Sequence, residues 1–239
     1  MRKFAKGFKH YFLGLSFWTK NSSLLRLSII PLILNFVFLV AGFVFSLNKL
    51  PDLVNKIISA PQLWYQYILY YVVLLVTALS LFMIVFFLTF VLANLLAFPF
   101  NGIIADRALK IHEVIPGTIH PILKKTQINM GAMVRRTVAF LIIGVILAFT
   151  ALIPGLGVIG AGIGILLMAY DRLDYGFDHF ALTFNERREF IKAHFGEFLG
   201  FAAGFGLTAT IPVINILIQP GSVVSGALLV GELKKGPIR

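Results

Sequence analysis

The chain has 239 residues, 59% of them hydrophobic and only 13% charged, with a formal net charge of +11 and no cysteine. Soluble domains run at about 45–50% apolar and about 25% charged, so polar side chains cannot cover this chain and its solvent must be lipid. The absence of cysteine excludes disulfides, thiolate metal sites and thiol chemistry.

The apolar stretches are long and continuous, as in Leu81 to Phe100, rather than alternating over about 10 residues as barrel strands do. The expected fold is therefore an all-α integral membrane protein with one membrane domain. Residues 1–20 read as an interfacial helix. Phe4, Phe8, Phe12 and Leu15 recur at helical spacing, with Lys3, Lys6, Lys9 and His10 between them. Residues 25–48 form the first full span, about 35 Å long against a hydrocarbon core of about 30 Å. Residues 49–61 form a short loop. Residues 62–103 form a second long transmembrane helix that ends at the turn signal Phe98-Pro99-Phe100-Asn101-Gly102.

Residues 104–135 read as a polar cytoplasmic segment. Two further apolar runs follow, 136–170 and 196–230, with most of the acids between them. Each run is about 35 residues, awkward for one span or for two. Each is also interrupted, the first by Pro154-Gly155-Leu156-Gly157 and the second by Pro212, Asn215 and Pro220-Gly221. Two re-entrant helix pairs, dipping into the membrane and returning, fit that pattern, and paired interruptions point to a transport pathway. A weak repeat joins them, Thr150–Pro154 with Thr208–Pro212. This topology puts three basic clusters on one side: Arg2 to Arg26, Arg107 to Arg136, and Lys234 to Arg239. The positive-inside rule makes that side cytoplasmic. The bases thus serve topology and anionic lipid, with no nucleic acid as partner.

The motifs of soluble enzymes fail here. Gly155-Leu156-Gly157-Val158-Ile159-Gly160 has the dinucleotide spacing but follows no strand. Gly160 with Gly164, and Gly196 with Gly200 and Gly204, fit close helix packing instead. The five histidines have no metal-ligand spacing, so neither a metal nor a cofactor is expected, and no nucleophile motif appears. Glu186 and Glu189, beside Arg187 and Arg188, read as a solvated helix. Asp171, Asp174 and Asp178 share a helix face. Asp174 and Asp178 are candidates for a proton relay, and helix packing against Arg172, Arg135 or Arg136 is the plainer alternative. The start of the first span offers an anion site. Ser22, Ser23 and Leu24 supply hydroxyls and main-chain N–H groups at a positive helix end, and Arg26 supplies a permanent cation. An ordinary helix cap with an anchoring arginine is the alternative. Asn101 is a candidate polar lining residue or helix cap. Pro154, Gly155, Gly157, Pro212 and Asn215 are candidates for shaping the pathway.

Nearly the whole chain resembles the CysZ sulfate-uptake proteins of bacteria, within the wider EI24-type membrane family. The resemblance rests on Arg26 followed by Ile30-Pro31-Leu32 and Asn35, on Ala97 to Gly102, and on Ile153 to Gly157. It rests also on Asp174-Tyr175-Gly176-Phe177-Asp178, Ile211-Pro212, Asn215 and Pro220. It implies two long transmembrane helices, two re-entrant pairs and a homo-oligomer in the bacterial inner membrane. It further implies uptake of sulfate or another small oxyanion for cysteine synthesis. One departure concerns the anion-binding turn. The family reads roughly Pro-Gly-Ile/Leu-Arg-Arg where this chain reads Ser22, Ser23, Leu24, Leu25 and Arg26. Losing one arginine removes a charge-assisted contact worth about 1.5–3 kcal/mol. Gly176 also stands where the family has proline. A non-transporting membrane scaffold or lipid-interacting protein is the competing expectation.

Overall fold

The computed structural model describes residues 1–59, 61–112, 138–139, 142–144, 146–147 and 155–235. The regular structure among them is α-helical: α1 (Arg2–Lys20), α2 (Ser22–Ile57), α3 (Trp64–Ile111), α4 (Leu156–His179), α5 (Phe184–Ala193), α6 (Phe195–Ala209) and α7 (Pro212–Lys235). Among the described residues, four stretches are long and apolar enough to cross a membrane: Ser22–Ile57, Trp64–Ala93, Leu156–His179 and Ile214–Lys235. The chain divides into two compact units. One holds Met1–Leu32 with Phe98–Arg239, and the other holds Ile33–Ala97.

The smaller unit is built from parts of α2 and α3. Gly42 lets them approach, since a Cβ there would lie 2.6 Å from Thr89 Cγ2. Phe43 and Phe82 pack with ring centres 5.5 Å apart. Many of its large apolar side chains are exposed, among them Phe36, Val40, Leu75 and Leu79. That is the surface a helix pair presents to lipid, where no water drives apolar side chains inward.

In the larger unit α1 packs lengthwise on α6 and α7, and α4 packs on the same two helices. One apolar cluster joins Trp18, Leu24, Ile104, Ala105, Ala108, Leu109 and Tyr175 to α7. A second joins Tyr11, Leu173, Phe177, Phe201 and Phe205. This corrects the reading of α1 as a purely interfacial helix. Its buried stripe is Gly7, Tyr11, Gly14 and Trp18, whereas Phe4 and Phe12 are exposed. Glycine is the reason. A Cβ at Gly7 would run into the Glu197 carbonyl, and one at Gly200 into the Phe4 carbonyl. The Gly196–Gly200–Gly204 stripe is thus the bed for α1. Gly164, by contrast, has no neighbour within 4 Å among the described residues.

These contacts predict opposite effects for two Gly→Ala changes. Gly200→Ala is expected to lose about 2 kcal/mol, because backbone must move on both helices. Gly102→Ala meets nothing within 4 Å among the described residues and is expected to gain about 0.5 kcal/mol from reduced backbone freedom. Thermal unfolding in detergent reads both.

Several expected boundaries are corrected. α2 begins at Ser22 and continues through residues 49–57 to Ile57, so most of the expected loop is helix. α3 continues through Phe98–Gly102, with Pro99 inside it, to Ile111. Asn101, Ile104, Ala105, Ala108 and Leu109 are all buried, at helical spacings of three, four, seven and eight from Asn101. Burying that face outweighs the backbone bond that Pro99 lacks. The expected polar segment therefore begins as core, while residues 113–137 lie outside the described residues.

Both expected interruptions precede long helices. Pro154 lies outside the described residues, but Gly155 has φ 87° and precedes the 24 residues of α4. α6 ends at Ala209 and α7 starts at Pro212, also 24 residues long. α4 runs past the expected limit of 170 to His179. Pro220-Gly221 does not split α7, which passes through it to Lys235. Gly221 instead seats Trp18, since a Cβ there would lie 2.7 Å from Trp18 Cε3.

Candidate anion site at the start of α2

One residue, Asn21, joins α1 to α2. Its N–H closes α1 on the Trp18 carbonyl, and its side-chain amide donates to the Phe17 carbonyl at 2.7 Å. Its own carbonyl accepts from Leu24 and Leu25 at 3.0 and 3.1 Å. α2 thus starts on a fixed corner. Ser22 and Ser23 are its first two residues, where helix N–H groups have no intrahelical partner. Leu24 departs from expectation. Its N–H is engaged by Asn21, and its fully buried side chain anchors the helix start in the core. Ser22 and Arg26 lie one turn apart, on the side of α2 away from Leu24 and Ser28, and both are exposed. No carboxylate among the described residues pairs with Arg26. The arrangement offers a permanent guanidinium, two hydroxyls and the positive end of a helix to an anion.

Behind this face, Trp18 Nε1–H donates to Ser28 Oγ at 2.8 Å, and the Ser28 hydroxyl donates to the Leu24 carbonyl at 2.8 Å. Both bonds are buried, and they tie the helix start to the ring seated on Gly221. Sequence reading missed this pair, because a tryptophan and a serine ten residues apart across a helix corner carry no local signature. Trp18→Phe and Ser28→Ala are each expected to raise the concentration of half-maximal anion binding about threefold, with the double change adding little. Sulfate titration of the purified variants checks this.

The other candidates sit elsewhere. Asn101 is 1% exposed. Its Nδ2 donates to the Tyr175 hydroxyl at 3.3 Å, and its Oδ1 has no hydrogen-bond partner among the described residues. Gly155 and Gly157 mark the start of α4, as Pro212 and Asn215 mark the start of α7. Asp174 and Asp178 are engaged by a residue that the sequence reading left in solvent. Arg187 donates from Nη1 to Asp174 and from Nη2 to Asp178 at 2.6 Å, with its Nε bonded to the Leu182 carbonyl at 2.8 Å. Arg172 instead faces Asp171 at 3.7 Å, and Arg135 and Arg136 lie outside the described residues. Glu186 is exposed, on the solvated helix that the sequence implies. Its carboxylate accepts from both the hydroxyl and the N–H of Thr183, which holds it below the usual carboxylate range. The Thr183-Phe184-Asn185-Glu186 capping box was the local signal for where this helix starts. His179 meets Asp106, which ties the end of α4 to α3. No cluster of metal-ligating side chains occurs among the described residues.

A family model described as "Sulfate transporter CysZ/Etoposide-induced protein 2.4" matches residues 10–220. The chain belongs to this family. It is 30% identical to the sulfate transporter CysZ of Vibrio atlanticus, over 98% of this chain and 95% of that protein. It is 27% identical to the sulfate transporter CysZ of Pectobacterium atrosepticum, over 85% and 77%, and 30% identical to that of Pseudomonas fluorescens, over 84% and 83%. The helices that could span a bilayer and the transporter relatives make it a multi-pass membrane protein.

Proposed function

We propose that this protein is a permease for sulfate, or a closely related oxyanion, in the bacterial inner membrane, feeding cysteine synthesis. The observation that carries the reading is likeness to proteins named sulfate transporters over nearly the whole chain. Ser22, Ser23 and Arg26 at the start of α2 are the proposed anion site, with the nearby main-chain N–H groups. The runs 136–170 and 196–230 are proposed as re-entrant pairs whose breaks, with Asn101, shape the pathway. The backbone freed at such breaks must be covered by protein or water. The lysines of α1 would meet anionic lipid, and the assembly is proposed to be a homo-oligomer. A proton relay through Asp174 and Asp178 would need Arg187 to release both, so we assign them a structural role.

One observation favours a second reading, a non-transporting scaffold. Arg26 heads an exposed apolar stretch with Ile29 and Ile30, where an arginine also serves as a headgroup anchor. Radiolabelled sulfate uptake into liposomes holding the purified protein separates the two. Saturable uptake above empty liposomes, with phosphate taken up more slowly, is the expected result. Uptake equal to empty liposomes, with folded protein, would sink the permease.

A further inference from the structure

Arg172 lies in α4, which packs on α6 and α7. A Cβ at Gly226 of α7 would strike its carbonyl, so the backbones are in close contact. Its guanidinium stands 6.0 Å from the centre of the Phe205 ring. The side chain is 5% exposed, and its Nε and Nη1 have no hydrogen-bond partner among the described residues. The carboxylate it faces, Asp171, is 3.7 Å from Nη1, too far for a hydrogen bond.

An arginine cannot shed its charge, and buried donors without acceptors are costly. Apolar packing alone would put a leucine or methionine at such a position. A permanent charge held this deeply among apolar neighbours is expensive to keep, so it points to a use. Two hydroxyls stand on the adjoining helices. Thr208 donates to the Phe205 carbonyl at 2.8 Å, so in its 2.6 Å bond to Tyr11 the phenol is the donor and keeps lone pairs for a further hydrogen bond. Burial pushes the Tyr11 phenol up, and the Arg172 charge acts against it, so this hydroxyl lies within the field of the guanidinium. Unused cationic donors, shielded from water, suit an oxyanion that brings several acceptor oxygens.

We propose that Arg172 is a second binding point for the transported oxyanion, inside the helix bundle and on a different helix from Arg26. The inference rests on the transport reading, and the test separates the two. Sulfate uptake into liposomes and sulfate-dependent thermal stabilisation in detergent are measured for the full chain and for Arg26→Ala, Arg172→Gln and Arg172→Lys. Arg172→Gln is expected to cut uptake at saturating sulfate about tenfold, the scale of one lost charge-assisted contact. Arg26→Ala is expected to keep a sulfate-dependent rise in unfolding temperature that disappears when Arg172→Gln is added. Where Arg172→Gln does not fold, Arg172→Lys keeps the charge but loses the planar donor set, and a fall of about threefold is expected. Wild-type uptake in folded Arg172 variants overturns the inference and leaves the permease standing. Stabilisation by sulfate that depends on Arg172, without uptake by the wild type, overturns the permease and leaves the site. Neither uptake nor stabilisation overturns both.

Discussion

Arg187→Met is expected to cost about 3 kcal/mol and to lower the unfolding temperature in detergent by on the order of 10 °C. The turn from α4 into α5 is tight, with Ala181 at φ 54° and Leu182 N–H returning to the Phe177 carbonyl at 3.1 Å. The Thr183–Glu186 capping box then places Arg187 in the first turn of α5. A cation there opposes the helix dipole, so its position is set by what it binds. It binds Asp174, Asp178 and the Leu182 carbonyl, and its guanidinium lies 5.9 Å from the centre of the Phe177 ring. Asp174 is 3% exposed. Removing the guanidinium leaves this carboxylate buried without its cation, which costs more than the pair contributes. Arg187→Lys, a single point of charge in place of a fork, is expected to fall between wild type and Arg187→Met. A change of less than about 1 kcal/mol in Arg187→Met would show that α4 and α5 are held by apolar contacts alone.

Arg26→Ala is expected to leave the unfolding temperature within a few degrees and to raise the sulfate concentration for half-maximal uptake about tenfold or more. The scale is that of a charge-assisted contact, about 1.5–3 kcal/mol. The small stability effect follows from exposure, since Arg26 is exposed and pairs with no described carboxylate. The large functional effect follows from the departure in this turn. A single arginine remains there, so no neighbouring guanidinium takes its place at the α2 start. Uptake that is saturable in wild type and unchanged in Arg26→Ala would move the site off the α2 start. Ser22→Ala with Ser23→Ala is expected to act in the same direction with a smaller effect, because the main-chain N–H groups survive.

Composition and periodicity alone determined a great deal. An apolar excess with few charges left only a lipid-solvated helical chain. The breaks at Gly155 and Pro212 were legible because proline and glycine act on their own backbone. The resemblance carried by Arg26, the Ala97 to Gly102 stretch and the Asp174 to Asp178 stretch led to the family. Local rules failed where burial decided. Phe98–Gly102 looked like a turn, yet Asn101, Ile104, Ala105, Ala108 and Leu109 bury one helical face, and that face carries α3 on to Ile111. α1 showed a phenylalanine stripe, but its glycines chose the packed side, because only they let its backbone touch α6 and α7. Pro220-Gly221 looked like a break and proved to be the seat of Trp18. Charge partners were the least legible. Nothing local joins Arg187 to Asp174 or leaves Nε and Nη1 of Arg172 without a hydrogen-bond partner among the described residues. A helical pattern constrains residues three or four apart, whereas an ion pair or an orphaned donor depends on which helices meet, and only the tertiary structure decides that.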